Sequence, residues 1–197
     1  MTSPVISVAF HSGYGHTTVL AEAVRSGAEA AGATVHLIKV DEISEEHWTL
    51  LDTSDAIVFG TPTYMGGAAG AFHTFAEAST PRWFTSAWKD KLAAGFTNSG
   101  SKSGDKLAAL QFLSIFAAQH GMTWVNLGLH PGWNSSTASE NDLNRLGFFL
   151  GAGAQSNVDQ GVEGVHKADV ATAEHLGRRV AEQTAVFLAG KAAAAAA

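Results

Sequence analysis

Val5-Ile6-Ser7-Val8-Ala9-Phe10-His11-Ser12-Gly13-Tyr14-Gly15-His16-Thr17-Thr18 passes from a short apolar run into a small, hydroxyl-rich loop, and helical periodicity opens near Val19. The apolar run suits a strand buried on both faces of a parallel sheet. A loop of Gly, Ser and Thr between a strand and a helix start suits a phosphate, because free backbone N–H groups and the positive end of the helix dipole converge there. Glycines let the backbone come close to the anion. The hydroxyls of Ser12, Thr17 and Thr18 add donors, so no Arg or Lys is needed. A phosphate-bearing cofactor is the ligand class that this stretch predicts.

Working outward, Val19, Ala23, Val24, Gly27 and Ala31 recur at helical spacing and Gly32 ends the run. Thr34 to Val40 follows as a second strand whose His36 and Lys39 suit a sheet edge. Asp41 to Asp52 reads as a loop carrying one helical turn, anchored by Trp48, Leu50 and Leu51. Ala56 to Gly60 is a third strand, Thr61 to Gly67 a second polar loop, and Ala69 to Ala78 a helix. Lys91 to Thr97 is a fourth strand in spite of Gly95, Asn98 to Gly104 a third loop, and Asp105 to His120 a helix closed by Gly121. Thr123 to Gly128 is the fifth strand. The stretch from His130 to Gly164 lacks periodicity, and a loop of that length is usually functional or mobile. Ala168 to Leu188 is a final helix.

Strands alternating with helices imply an α/β fold, a doubly wound five-stranded parallel sheet with helices on both faces. Ligands of such sheets sit beyond the carboxyl ends of the strands. The three polar loops share that edge and predict a continuous binding rim.

The composition narrows the function. With 197 residues, 46% of them hydrophobic, the chain predicts one domain over residues 1–191, and the low-complexity tail 192–197 is set aside. A net charge of −6 with scattered Lys and Arg argues against nucleic acid and anionic membrane partners. There is no cysteine, which excludes disulfides and a thiol nucleophile. The N-terminus lacks a signal-peptide pattern and no apolar run approaches the roughly 20 residues of a membrane span, so a cytoplasmic protein without membrane insertion is expected.

Several familiar sites fail on particular residues. Gly13-Tyr14-Gly15 begins a dinucleotide fingerprint, with Asp41 near the end of the second strand, but Thr18 stands in place of the third glycine. Gly95 to Gly100 has P-loop spacing, yet Ser101 replaces the lysine. A phosphorylation receiver needs acidic residues where Phe10-His11 and Gly60-Thr61 stand. The nine histidines show no close pairing typical of zinc, and no G-x-S-x-G elbow exists, so neither a metal site nor serine hydrolysis is expected.

Ser12 to His16, Phe59-Gly60-Thr61-Pro62-Thr63-Tyr64-Met65-Gly66, Asn98 to Ser101 and His120-Gly121-Met122 together resemble the flavodoxin-like NAD(P)H:quinone oxidoreductases of the tryptophan-repressor-binding-protein family. The resemblance implies strand order 2-1-3-4-5 and a non-covalent FMN. The phosphate would lie in Ser12, Gly13, Tyr14, Gly15, His16 and Thr17. The ring system would lie between Pro62, Thr63, Tyr64, Met65 and Gly66 on one side and Asn98, Ser99, Gly100, Ser101 and Gly104 on the other. It also implies NADH or NADPH as donor with Tyr14 on the nicotinamide side, and a small-molecule quinone as acceptor with Trp83 lining its pocket. This chain has Tyr64 where the family commonly has Arg, and Gln119 where it has a His. Hydride passes through flavin N5, so no catalytic side chain is needed, only placement and access. A flavodoxin-like electron carrier, or a general NAD(P)H-dependent FMN reductase, is the competing function. Trp83, Phe84, Trp88 and Trp133 fall in irregular segments, where a lone domain would leave aromatic surface wet. A homodimer or homotetramer is therefore expected.

Overall fold

The computed structural model describes residues 3–196. Strand β1 (Val5–Phe10) leads into helix α1 (His16–Ala30), and β2 (Thr34–Lys39) returns beside β1 with parallel register Val5 to Thr34 through Phe10 to Lys39. Alternation then decides the two faces of the sheet. Ile6, Val8 and Phe10 join Ala56 and Val58 in the core under α1, while Ala9, Ile57 and Phe59 face the opposite core. This is the two-sided burial that a run without polar alternation requires.

Residues 41–52 correct the sequence expectation. A 3-10 turn (Val40–Glu42) is followed by a full helix, α2 (Glu45–Thr53). Ser44 accepts from the His47 N–H while the His47 ring accepts from the Ser44 N–H, and Glu45 and Glu46 favour the dipole's positive end. The signal was a capping box with His in place of the usual Glu or Gln. Trp48 and Leu51 are buried from it, Trp48 stacking on Phe75 at 5.2 Å.

Strand β3 (Ala56–Tyr64) runs through most of the segment expected to be a loop, and pairs with the two-residue strand β4 (Gly67–Ala68) across a turn at Met65 and Gly66. Both turn residues have positive φ, 49° and 82°, as a two-residue hairpin demands. Helices α3 (Gly70–Ala78) and α4 (Thr80–Phe84) follow, so Trp83 and Phe84 stand on a short helix. Trp88 is fully buried, with its Nε1 donating to Asp52 Oδ1 at 2.8 Å. It belongs to the core and not to exposed aromatic surface.

Strand β5 (Leu92–Ser99) and helix α5 (Lys106–Gln119) come next. Gly95 is explained by close packing: a Cβ there would lie 2.8 Å from the Trp124 ring. The expected fifth strand is interrupted. Strand β6 (Thr123–Trp124) pairs with Leu92 and Ala93, the chain then leaves the sheet, and β7 (Ala152–Gln155) returns to pair with Phe96 to Ser99. Trp124 bridges the break by donating to Leu150 O at 2.8 Å. The path β2-β1-β3-β5-β6 is the expected 2-1-3-4-5 order with β4 and β7 added.

Helix α6 (Lys167–Ala195) closes the fold against α1. It continues through Ala192 to Ala195, as alanine's helix propensity favours, so this part of the tail extends the helix. Ala197 lies outside the described residues. No helix among them is long and apolar enough to cross a membrane.

Candidate functional site

At the end of β1 the chain turns through Ser12 to Gly15, and Gly15 stands at the N-cap of α1 at φ 88° with no side chain of its own to cap the helix. Ser12 Oγ accepts from the Thr18 N–H at 3.2 Å. Among the described residues, the N–H groups of residues 14–17 have no partner in the chain. Uncapped N–H groups gathered at a helix N-terminus are an anion cradle. Gly13 allows the Tyr64 hydroxyl to sit against it, where a Cβ would be only 2.8 Å away. Burial raises the Tyr64 pKa, the neighbouring Tyr14 adds to the rise, and a hydrogen bond from the Gly13 backbone opposes it. Tyr14 packs edge-on to Tyr64 at 6.4 Å and is otherwise exposed. Thr17 is buried. His16 has another partner: its Nε2 lies 3.0 Å from Gln160 O and 2.9 Å from Gly161 O. Two carbonyl partners require the proton on Nε2.

The second rim segment is rigid. Thr61 Oγ1 accepts from the Ala69 N–H at 3.0 Å, and the hydroxyls of Thr63 and Thr97 bond at 2.8 Å, locking the ends of β3 and β5 together. Pro62, Thr63, Tyr64 and Met65 line the cavity, with Met65 fully exposed at the turn tip. In the third segment Asn98 and Ser99 line the cavity with Gly100. Asn98 Nδ2 donates to Ser156 Oγ at 2.9 Å, but its Oδ1 is buried without a partner. Ser101, Gly104 and Gly66 line an adjoining recess that shares Thr63, Met65, Ser99 and Gly100.

Beneath this loop Lys106 is completely buried, its Nζ donating to Ser101 O at 2.5 Å, Lys102 O at 3.2 Å and Ser103 O at 3.4 Å. Burial lowers its pKa to about 8, and the Asp169 carboxylate opposes the fall. Asp169 itself receives Arg145 in two bonds of 2.8 Å and the Gln155 N–H at 3.0 Å, all within the core.

A fourth wall escaped sequence reasoning. Ser156, Val158, Gln160 and Gly161 close the cavity from the segment after β7. Gln155 Nε2 reaches Gly100 O at 3.0 Å, and the His16 contacts pin the far end. No periodicity marks this stretch. Its cue was composition, a polar run following a strand, and the strand itself was unseen. The four walls enclose about 790 Å³, within the range of cofactor sites.

One expected contributor lies elsewhere, and an acid weighed for a rejected motif has its own neighbour. Trp83 faces a separate groove of about 430 Å³ with His73, Phe112 and His120 between α3, α4 and α5, away from the rim cavity of the same chain. Asp41, weighed as a ribose-binding acid, stands 3.4 Å from His11 Nδ1.

The same geometry has known relatives. The chain is 42% identical to Flavodoxin FldP of Pseudomonas aeruginosa over 177 residues, 88% of this chain and 93% of that protein. It is 30% identical to an NAD(P)H dehydrogenase (quinone) of Archaeoglobus fulgidus over 90% of this chain and 95% of that one. Among solved structures, a WrbA-like flavodoxin from Agrobacterium tumefaciens superposes with a TM-score of 0.75 at 42% identity, covering 94% of this chain and 99% of that one. The flavodoxin family profile matches residues 8–186. Fold, rim and sequence agree, and the chain belongs to the flavodoxin family.

Proposed function

We propose that this protein is an FMN-dependent NAD(P)H:quinone oxidoreductase. One observation carries the proposal: a single open cavity joins an uncapped helix N-terminus, suited to a phosphate, to a buried amide oxygen at Asn98 that needs an N–H donor. FMN has both groups, a terminal phosphate and a ring N–H. The residues therefore fit it, and among the described residues no second nucleotide-binding unit stands ready for the adenosine half of FAD. The N–H groups of residues 14–17 with the Ser12 and Thr17 hydroxyls would hold the phosphate, while Pro62 to Gly66 and Asn98 to Gly104 would flank the ring. Bound FMN supplies two-electron hydride chemistry at N5. Around it, Tyr14 and Met65 leave an exposed apolar margin where a nicotinamide and then a quinone can stack in turn. The relatives named as quinone dehydrogenases support this activity.

Assembly is part of the proposal. Trp83, Phe84 and Ile115 are exposed on and beside the α3–α5 groove, an apolar face that a homodimer or homotetramer would cover. A second function, electron carriage between proteins, is favoured by the 42% relative named a flavodoxin.

The deciding experiment is an anaerobic visible spectrum of the FMN-loaded protein with NADH or NADPH, followed by a quinone. Bleaching and recovery, with parallel double-reciprocal plots in steady state, is expected. A bound flavin that ignores both nicotinamides and accepts electrons only from a reductase protein supports the carrier. Failure to bind FMN defeats both.

A further inference from the structure

Lys106 presents an anomaly. Its ammonium is fully buried at the first residue of a helix, where the dipole opposes a cation, and the nearby Asp169 carboxylate that favours it is itself paired with Arg145. An apolar side chain would fill the space without the cost of desolvating a charge. What the lysine does that an apolar residue cannot is collect carbonyls, those of Ser101, Lys102 and Ser103.

Peptide planarity gives this a consequence. In a trans peptide the C=O and the following N–H point in opposite directions. Three carbonyls turned onto one ammonium therefore turn the N–H groups of Lys102, Ser103 and Gly104 the other way, and none of the three has a partner among the described residues. The loop has little freedom to relax. Gly104 and Asp105 have φ of 52° and 55°, and a Cβ at Gly104 would meet Ser99 Oγ at 2.2 Å.

We propose that Lys106 is a positioning residue for the cofactor: by drawing the carbonyls of residues 101–103 inward it aims the N–H groups of the third rim loop at the flavin ring, favouring the reduced, anionic form over the oxidised one. The inference rests on the FMN assignment above. Oriented donors act strongly where negative charge develops, and the buried ammonium adds its own field from behind the loop. Ser101 and Gly104 of this loop line the recess beside the cavity, and Lys106, which lines neither, sets how they are turned.

The test is the ratio of dissociation constants for oxidised and reduced FMN, obtained from redox titration of wild type and Lys106→Met. The variant is expected to bind oxidised FMN within about threefold of wild type and to lose about tenfold of its preference for reduced FMN. For a two-electron couple that loss lowers the potential by about 30 mV. Should the methionine variant not fold, the second readout decides. A second readout needs no variant: in wild type, FMN should slow amide exchange at residues 102–104 relative to the cofactor-free protein. An unchanged ratio, or unaltered exchange at those amides, overturns the proposal. If wild type binds no FMN, it is the functional assignment that has failed.

Discussion

Gly27→Ala tests how the cradle-bearing helix is held. Gly27 and Gly177 face each other where α1 crosses α6: a Cβ on Gly27 would stand 1.9 Å from Glu174 O, and one on Gly177 1.9 Å from Val24 O. Each glycine thus receives the backbone of the other helix. Reaching the 3.4 Å of ordinary contact requires the helices to part by about 1.5 Å. That loosens Leu20, Val24 and Ala28 from Ala173, Leu176 and Val180, all buried in one cluster. Intrinsic propensity argues the other way, since Gly to Ala inside a helix gains about 1 kcal/mol. Overpacking costs about 1–3 kcal/mol and more when backbone must move, so a net loss of about 2 kcal/mol is expected. Urea unfolding reads it as a lower midpoint with an unchanged slope. Gly190→Ala on α6, where nothing lies within 4 Å, is the control and should be neutral or slightly stabilising. A Gly27→Ala midpoint at or above wild type would refute the close-packing account.

Other perturbations follow from the same structure. Arg145→Met leaves the Asp169 carboxylate buried without its cation and should cost about 3–5 kcal/mol in chemical denaturation, much of which the double variant with Asp169→Leu recovers. Burial lowers the His120 pKa to about 4, below its ordinary 6.5. The unfolded chain therefore takes up the proton first, and stability present above pH 6.5 is lost as pH falls to 4. The full loss is about 3 kcal/mol. Comparing the acid limbs of wild type and His120→Phe isolates it, and parallel limbs would exclude it. Ser12→Ala removes the acceptor of the Thr18 N–H and a hydroxyl of the cradle, and should weaken FMN binding by about 0.5–1.5 kcal/mol in a fluorescence titration.

How much was legible depended on whether a feature is local. Val5 to Phe10, α1, α5 and α6 announced themselves because one side-chain pattern and one end signal suffice to specify a buried strand or an amphipathic helix. The first and third rim loops were legible for the same reason, since their composition and their place after a strand are both written in consecutive residues, whereas most of the expected second loop is the end of β3. The sequence by itself therefore determined the alternation of elements, the strand order once the family resemblance was added, and the edge of the sheet where the polar segments gather.

Tertiary structure decided what depends on distant partners. Ala152-Gly153-Ala154-Gln155 has no β-branched or aromatic residue, and is a strand only because β5 offers it a ladder. That pairing brings Ser156 to Gly161 over the cavity, so the fourth wall could not be foreseen without it. Trp88 looked like spare aromatic surface until Trp48, Phe75 and Phe116 enclosed it. Nothing in the sequence sets Lys106 apart, and only the path of the loop above it brings three carbonyls to its ammonium. The physical reason is common to these cases: a residue's pattern reports its own preference, whereas burial, pairing and charge are set by groups tens of residues away that meet only when the chain has folded.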